Sequence, residues 1–198
     1  MEKSLMDVMN DYLNQGIDPT SREAEIWREF GKRFAILVID STGFTRTTNE
    51  FGIIYFLSKL AQKRNITIPI IQAYDCETYI TEADSLIALF PNVKSAFNAV
   101  LEISDALKQK KLMLTPDEPF RICAGIGYGD LLVTGEHGAF FGPEMNMASK
   151  LGEDTADADE LMLTDSAYAE LDAKAQLSFK KGSSHASGND IPYHIMQM

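Results

Sequence analysis

The chain has 198 residues, of which 45% are hydrophobic and 24% charged, a composition that suits one globular domain with a sizeable core. Its net charge of −11 argues against nucleic acid or an anionic membrane as the main partner, because phosphate groups attract basic surfaces. No apolar run approaches the roughly 18 residues of a membrane span, and the first residues lack the apolar core of a signal peptide, so we expect a cytoplasmic protein.

The first part of the chain, residues 1–33, differs in pattern from the rest. Apolar residues recur at helical spacing over residues 5–13, and residues 16–19 interrupt that pattern with glycine and proline. Residues 21–30 are predicted as a second short helix, capped at its start. We expect this N-terminal leader either to cover the domain's own core or to pair with a partner helix, and residues 34–198 to form the main domain.

A strand, a helix and an ambiguous segment follow the leader. Residues 34–39 are apolar without alternation, as in a strand that is buried on both faces. Residues 49–63 carry apolar side chains at roughly helical intervals. Residues 66–74 have the composition of a strand, but Pro69 argues against a central strand and would kink a helix. Propensity therefore leaves this segment undecided.

The middle of the chain has clearer patterns. Residues 77–80 and 85–90 are predicted as two strands joined by a short turn, and residues 93–108 as an amphipathic helix. Residues 120–126 and 131–134 are predicted as a hairpin, because the glycine-rich sequence between them is typical of a turn.

The last quarter of the chain is predicted from its start and stop signals. A helix is expected to begin at residues 142–144, which place a proline and an acid in the first turn. Residues 153–160 are interpreted as a solvated acidic loop. A short strand at 161–163 and a short helix at 166–171 precede a terminal hairpin formed by residues 176–179 and 193–196.

Two of the predicted strands have an acid beside them. Asp40 ends the apolar strand ILVID and is followed by a turn of small residues, STG, while Asp84 directly precedes the strand at 85–90. A carboxylate in such a place often only caps the next helix. Two carboxylates on adjacent strands can also bind two Mg²⁺ ions and, with the free N–H groups of a helix start, hold a phosphate. The residues alone leave both interpretations open.

Four stretches of sequence match a known set of motifs in order and spacing. ILVIDSTGFT is a hydrophobic run followed by D-x-x-G-F-T, and Asp84 follows Asp40 by 44 positions. ADSLIALF is similar to G-D-x-x-x-A-x-F, with Ala83 in place of the glycine, and GIGYG is similar to G-I-x-x-G. GPEMNMASKL is similar to G-x-x-V-N-x-A-x-R-L, with Asn146 as the asparagine. Together these stretches, within residues 34–198, resemble the catalytic domain of the class III nucleotidyl cyclases, which are adenylyl and guanylyl cyclases.

The resemblance implies a fold and a metal site. The fold would be ferredoxin-like, an α/β (α+β) domain with an antiparallel-rich sheet and helices packed on it. The alignment with the family favours a strand or a linker over a helix for residues 66–74. It would act as a homodimer with its active sites at the dimer interface. Asp40 and Asp84, with the backbone carbonyl of Ser41, would hold two Mg²⁺ or Mn²⁺ ions.

The resemblance also implies how a nucleoside triphosphate is bound and converted. The β- and γ-phosphates would be received by the backbone N–H groups of Thr42, Gly43, Phe44 and Thr45. From the other chain, Asn146 would orient the ribose, and Lys150, one helical turn later, would stabilise charge on the α-phosphate. The 3′-hydroxyl would then attack the α-phosphorus and release pyrophosphate, so that catalysis depends on positioning and electrostatics.

Three positions depart from the family's pattern. The arginine expected in the asparagine helix is Lys150, which keeps the charge but loses the forked donor geometry. In adenylyl cyclases a lysine and an aspartate read the base, and the matching positions are Ile80 and Ala139, whose side chains neither donate nor accept hydrogen bonds. A base pocket without polar anchors discriminates poorly between bases.

The sequence therefore supports two functions. The first is an active cyclase with relaxed or unusual base choice, which the two acids and Asn146 favour. The second is a catalytically weak or inactive cyclase-like module that binds a nucleotide or a partner and passes on a signal, which Ile80, Ala139 and Lys150 favour. The balance of these residues favours the enzyme.

Overall fold

A computed structural model describes residues 3–134, 139–186 and 189–198. Its α-helices, in chain order, are α1 Leu5–Asn14, α2 Glu23–Phe30, α3 Phe44–Phe51, α4 Ile53–Ala73, α5 Val93–Gln109, α6 Pro143–Ser149, α7 Asp165–Ala169 and α8 Ala173–Gln176. Its strands are β1 Gly31–Ser41, β2 Thr78–Glu82, β3 Ser85–Phe90, β4 Met113–Thr115, β5 Glu118–Pro119, β6 Ile122–Val133, β7 Phe140–Phe141, β8 Glu160–Leu163, β9 Lys180–Ala186 and β10 Asn189–Gln197. A 3₁₀ helix at Pro19–Arg22 precedes α2, and a π-helical turn at Lys150–Thr155 follows α6.

The main sheet has the order β2-β3-β1-β6-β8-β10-β9, and β7 pairs with the end of β6. Within the described residues its pairings are antiparallel except for the parallel pair β6 and β8. The central strand β1 pairs with β6 along its whole length and with β3 on its other edge. The mixed α+β fold with an antiparallel-rich sheet is therefore confirmed.

Side chains of β1 alternate between two apolar layers. Ala35, Leu37 and Ile39 pack in the larger core, which also contains the inner faces of α4 and α5. Ile36 and Val38 pack in a second cluster on the other face of the sheet, where α6 lies. Because both faces of β1 are covered, its sequence is apolar without alternation, as predicted.

The N-terminal leader forms the two helices that the sequence predicts. Leu5 of α1 and Ile26 of α2 are buried, and the backbone N–H of Leu5 donates to the carbonyl of Thr134 at 3.3 Å. The leader thus packs on its own chain. No helix in the described ranges is long and apolar enough to cross a membrane.

Residues 66–74, which the family resemblance favours as a strand or linker over a helix, belong largely to helix α4, so that preference is wrong. Lys63, Thr67 and Ile71 are buried at helical spacing and fix the inner face of this helix. Pro69 lies on the exposed face, where the carbonyl that loses its N–H partner remains accessible to water. The predicted helix over residues 49–63 is divided at Gly52, which has φ +86°.

The predicted hairpin over residues 120–134 is wrong, because these residues form the continuous strand β6. The glycines of GIGYG allow α6 and the π-helical turn to lie directly on the strand. A Cβ on Gly125 would come within 2.3 Å of the carbonyl oxygen of Ala148, and one on Gly127 within 2.7 Å of that of Glu144. The Glu144 carboxylate also accepts from the N–H of Tyr128 at 3.1 Å.

Substitution of Gly125 by alanine is expected to destabilise the protein strongly. The added methyl group would meet main-chain atoms of Ala148 and Gly152, which cannot rotate away, so α6 must shift. We expect a loss of about 3 kcal/mol, at the upper end of overpacking effects. Chemical denaturation followed by circular dichroism measures it, and a loss below about 1 kcal/mol would contradict this close packing.

The C-terminal part follows the prediction with shifted boundaries. A terminal hairpin is present, but its first strand begins at Lys180, because the chain to Gln176 forms α8. The short strand β8 and short helix α7 lie where they are predicted.

Candidate functional site

Asp40 and Ser41 end the central strand and lie on opposite faces of the sheet. Asp40 follows the alternation of Ile36 and Val38 toward α6, whereas Ser41 follows Ile39 toward α4. The hydroxyl of Ser85, the first residue of β3, donates to Oδ1 of Asp40 at 3.0 Å. This bond fixes one carboxylate oxygen of Asp40, which also lines the cleft described below.

Asp84 lies in the two-residue turn between β2 and β3, because Glu82 pairs directly with Ser85. The backbone carbonyl of Asp84 accepts from the hydroxyl of Ser41 at 3.1 Å. The antiparallel pairing of β1 with β3 brings the start of β3 next to the end of β1, so the two acids lie close together although they are far apart in sequence.

Lys63 of α4 lies beneath this pair of acids. Its side chain is 1% exposed, and its amine donates to Oγ of Ser41 at 2.7 Å and to the carbonyl oxygen of Asp84 at 2.9 Å. Burial lowers the pKa of Lys63 to about 8, although the negative charges of Asp40 and Asp84 act in the opposite direction.

The carboxylates of the site crowd one another. Burial raises the pKa of Asp84, and the nearby charge of Asp40 adds to the effect. Burial likewise raises the pKa of Glu153, in the π-helical turn, with Asp40 contributing and a hydrogen bond with Ser85 opposing the shift. Cations in the cleft would relieve this accumulation of negative charge.

The turn after Ser41 leads directly into helix α3. Gly43 has φ +87°, and a Cβ there would approach the side chain of Leu114 to 2.9 Å, so only glycine fits this turn without strain. The N–H of Thr42 donates to the carbonyl of Arg121 at 3.2 Å. The first N–H groups of a helix have no intrahelical acceptor, and here they belong to Phe44 and Thr45.

These groups border one open cleft of about 540 Å³. Its walls are formed by Asp40, Ser41, Thr42, Gly43, Phe44, Thr45, Arg46, Asp84, Cys123, Glu153 and Ala156. The structure thus brings together every residue that the sequence predicts for the metals and for the β- and γ-phosphates. Burial raises the pKa of Cys123 to about 12, and hard cations such as Mg²⁺ prefer oxygen ligands to sulfur.

The four other predicted site residues lie outside this cleft within the described part of the chain. Ile80 of β2 packs in the apolar cluster on the α6 face, and the carbonyl of Ala139 accepts from Thr134 at 3.2 Å. Asn146 is exposed on α6, and Lys150 begins the π-helical turn. Their roles stay predictions.

Sequence reasoning missed three residues around the acids: Lys63, Ser85 and Glu153. Glu153 is predicted in a solvated loop, but the π-helical turn brings it to the cleft. Lys63 carries a readable signal, because it interrupts the apolar stripe of α4 between Leu60 and Thr67 at helical spacing. A lone lysine in a buried stripe indicates a buried partner.

The chain has the same fold as several solved structures, and the three described here are nucleotide cyclases. A guanylyl cyclase, Cya2, superposes with a TM-score of 0.70 at 16% identity, over 84% of this chain and 91% of its own. An adenylate/guanylate cyclase/hydrolase from Silicibacter pomeroyi gives 0.67 at 21% identity, over 83% and 95%. The chain has the class III cyclase fold. The guanylate cyclase domain of RhGC from Catenaria anguillulae, solved in complex with GTP, gives 0.66 at 18% identity, over 84% and 97%. No protein-family model and no curated protein matches the sequence of this cyclase-fold domain.

The cyclase fold presents a donor set that suits a hard divalent cation. The carboxylates of Asp40 and Asp84 and the carbonyl of Ser41 are oxygen donors at one cleft. In the part of the chain that the structure describes, no three His, Cys, Asp or Glu side chains enclose a metal by themselves. Mg²⁺ in phosphoryl-transfer sites is commonly held by one or two carboxylates together with substrate phosphates and water, so the residues present fit.

Proposed function

We propose that this chain is a nucleotidyl cyclase that converts a nucleoside triphosphate to a 3′,5′-cyclic nucleotide and pyrophosphate. The observation that carries the proposal is the cleft in which Asp40, Asp84 and the first turn of α3 meet, in a domain with the cyclase fold. Crowded carboxylates beside free helix N–H groups suit a polyphosphate that arrives with its cations.

The acids would hold two Mg²⁺ or Mn²⁺ ions through Asp40, Asp84 and the carbonyl of Ser41. When bound, these ions would neutralise phosphate charge and lower the pKa of the attacking 3′-hydroxyl. The Ser85 hydroxyl fixes Asp40 by donating to Oδ1, which would leave the other oxygen for a cation. Both acids are half-buried, so water screens their charges less than it would at an exposed position.

The phosphates would bind at the start of α3. The N–H groups of Gly43, Phe44 and Thr45 are the donors, whereas the N–H of Thr42 is already bonded to Arg121. Arg46 lines the same cleft, and its guanidinium is paired with Glu118. It supplies positive charge at the end of the cleft where the terminal phosphate would lie.

We further propose that the active site is completed in a homodimer. Asn146 and Lys150 do not reach the cleft of their own chain, so the ribose and α-phosphate contacts would come from a partner. An exposed apolar surface on α3 and α4 borders the phosphate turn and would be covered in such a dimer; it consists of Phe44, Phe51, Ile53, Ile54 and Leu57. In the dimer the 3′-hydroxyl attacks the α-phosphorus and pyrophosphate leaves.

The second candidate is a cyclase-like module that binds nucleotide with little or no turnover. Its specific support is the apolar pair Ile80 and Ala139 at the base-reading positions, together with Lys150 in place of arginine. Ile80 packs in the sheet's second apolar cluster, so its side chain serves the core.

Incubation of the purified protein with ATP, GTP, CTP and UTP separately, with Mg²⁺ or Mn²⁺, tests the proposal. Chromatography with mass detection should show at least one 3′,5′-cyclic nucleotide and an equal amount of pyrophosphate. If none of the four yields product at high protein concentration with Mn²⁺, the binding module replaces the enzyme. Equilibrium dialysis with the same nucleotides then identifies what the module binds.

Replacement of Lys150 by arginine is expected to raise turnover. A guanidinium gives two parallel hydrogen bonds to a phosphate where an ammonium gives a point charge, so we expect a gain of roughly three- to tenfold. Lys150→Met should lower turnover, and Lys94→Arg, at an exposed position of α5, should leave it unchanged. Equal rates in the arginine and methionine variants would show that Lys150 has no role in the reaction.

A further inference from the structure

Lys63 is a buried charge in a place where an apolar residue would continue the core. Its neighbours along the inner face of α4 are Phe56, Leu60 and Ile71, all buried. Placing an ammonium there has a desolvation cost that methionine or leucine would avoid. Among the described residues the amine donates to Oγ of Ser41 and to the carbonyl oxygen of Asp84, so its role concerns the segments that carry those oxygens.

The two acceptors belong to the two segments that carry the acids. Ser41 is the next residue after Asp40, and the other acceptor is the backbone carbonyl of Asp84 itself. A third bond, from the Ser41 hydroxyl to the same carbonyl at 3.1 Å, closes a triangle. Lys63 therefore joins the end of β1 to the β2–β3 turn from the face opposite the Asp40 carboxylate.

The turn that Lys63 holds is in a strained conformation. Ala83 has φ +48°, a left-handed conformation that is unfavourable for a residue with a Cβ. The neighbouring residue of α4, Arg64, donates to the carbonyl of Ala83 at 2.7 Å. Lys63 and Arg64, which are consecutive in the helix, thus donate hydrogen bonds to the consecutive carbonyls of Asp84 and Ala83. These bonds hold the turn in its strained conformation.

We propose that Lys63 and Arg64 form a clamp that fixes the β2–β3 turn against the end of β1, and that Lys63 is the positioning residue for the Asp40–Asp84 pair. The clamp sets the separation of the two carboxylates before any cation binds. The part of the proposal that concerns cation binding rests on the proposed function.

Hydrogen–deuterium exchange of the metal-free protein tests the clamp without reference to metal or activity. In Lys63→Met, exchange of peptides covering residues 78–90 should become about tenfold faster. Arg64→Ala should give a smaller increase in the same peptides. Lys59→Met, one turn earlier on α4 where the lysine lies over the ring of Tyr55, is the matched control and should change nothing there.

If Lys63→Met does not fold, Ser41→Ala replaces it, because it removes one acceptor of the ammonium and the Ser41–Asp84 bond without burying new bulk. Faster exchange in Ser41→Ala and Arg64→Ala is then the expected result. Unchanged exchange of residues 78–90 in the folded variants overturns the clamp.

Mn²⁺ affinity, measured by electron paramagnetic resonance, tests the positioning role. Lys63→Met should bind Mn²⁺ about tenfold more weakly, as when a residue that orients a metal ligand is lost, while Lys59→Met should match the wild type. An affinity that is unchanged or higher in folded Lys63→Met would show that the lysine does not position the acids. If the wild type itself binds no Mn²⁺ without nucleotide, the positioning role is overturned, because the acids then form no cation site on their own. The cyclase assay still decides the proposed function, and the exchange measurement still decides whether the clamp exists.

Discussion

Asp40→Asn and Asp84→Asn are each expected to lower cyclic nucleotide formation by at least about a thousandfold while the fold is retained. Each substitution removes one of the two carboxylates at the cleft, and cation stabilisation of phosphoryl transfer is worth several kcal/mol, where each 1.4 kcal/mol is about tenfold in rate. Asparagine keeps the shape of the side chain, and at position 40 it can still accept from Ser85.

Stability measurements separate this loss from unfolding. Because burial and Asp40 raise the pKa of Asp84, the ionised carboxylate costs stability at neutral pH, so Asp84→Asn should melt at or above the wild-type temperature without metal. Asp130→Asn is the matched control, since Asp130 of β6 pairs with Arg33 at the opposite end of β1 from Asp40. Its rate should stay within about twofold, as for other exposed ion pairs. Rates near wild type in Asp40→Asn or Asp84→Asn would refute the metal assignment.

The acid site was the most predictable part of this molecule. Asp40 and Asp84 are placed by strand ends, and antiparallel pairing of β1 with β3 then brings them together whatever lies between them in sequence. The turn at Gly43 is equally local, because a positive φ beside a crowded side chain requires glycine. The strand ends can therefore be read from the residues, whereas the joint role of the two acids is expected only from the resemblance to the cyclase motifs.

The errors arose where a residue's role depends on a distant neighbour. Gly127 and Gly129 belong to a sequence typical of a turn. In the structure they leave room for Glu144 of α6, a helix that comes later in the chain. Pro69 argues against a helix only if it lies on the buried face of that helix. In α4 it lies on the exposed face, and tertiary packing decides which face is exposed. Local propensity predicts neither the position of α6 nor the exposed face of α4.

The same limit applies to the residues around the acids. Glu153 reaches the cleft because the chain after α6 continues as a π-helical turn, whose extra residue per turn changes which side chains face inward. Lys63 is different, since its helical spacing after Phe56 and Leu60 is visible in the sequence, although propensity leaves the segment that follows it undecided. Only its partners, Ser41 and the carbonyl of Asp84, required the structure.

Mixing two inactive variants is expected to restore activity if the site is shared between chains. Asp40→Asn damages the acid half of a site and Asn146→Ala the half that would come from the partner. In a heterodimer of the two, one site carries both lesions and the other is intact. An equal mixture that exchanges subunits freely should therefore recover about a quarter of the wild-type rate, because half of the dimers are mixed and each has one good site.

The matched control mixes Asp40→Asn with Asp84→Asn. Both lesions lie in the cleft of a single chain, so each site of the mixed dimer keeps one damaged acid and no activity should return. Sedimentation or light scattering must show that both mixtures dimerise to the same extent. Recovery in the first mixture and not in the second assigns Asn146 to the partner's site. Failure of the first mixture at full dimerisation would mean that Asn146 does not complete the cleft, and the exposed face of α6 would then need another role.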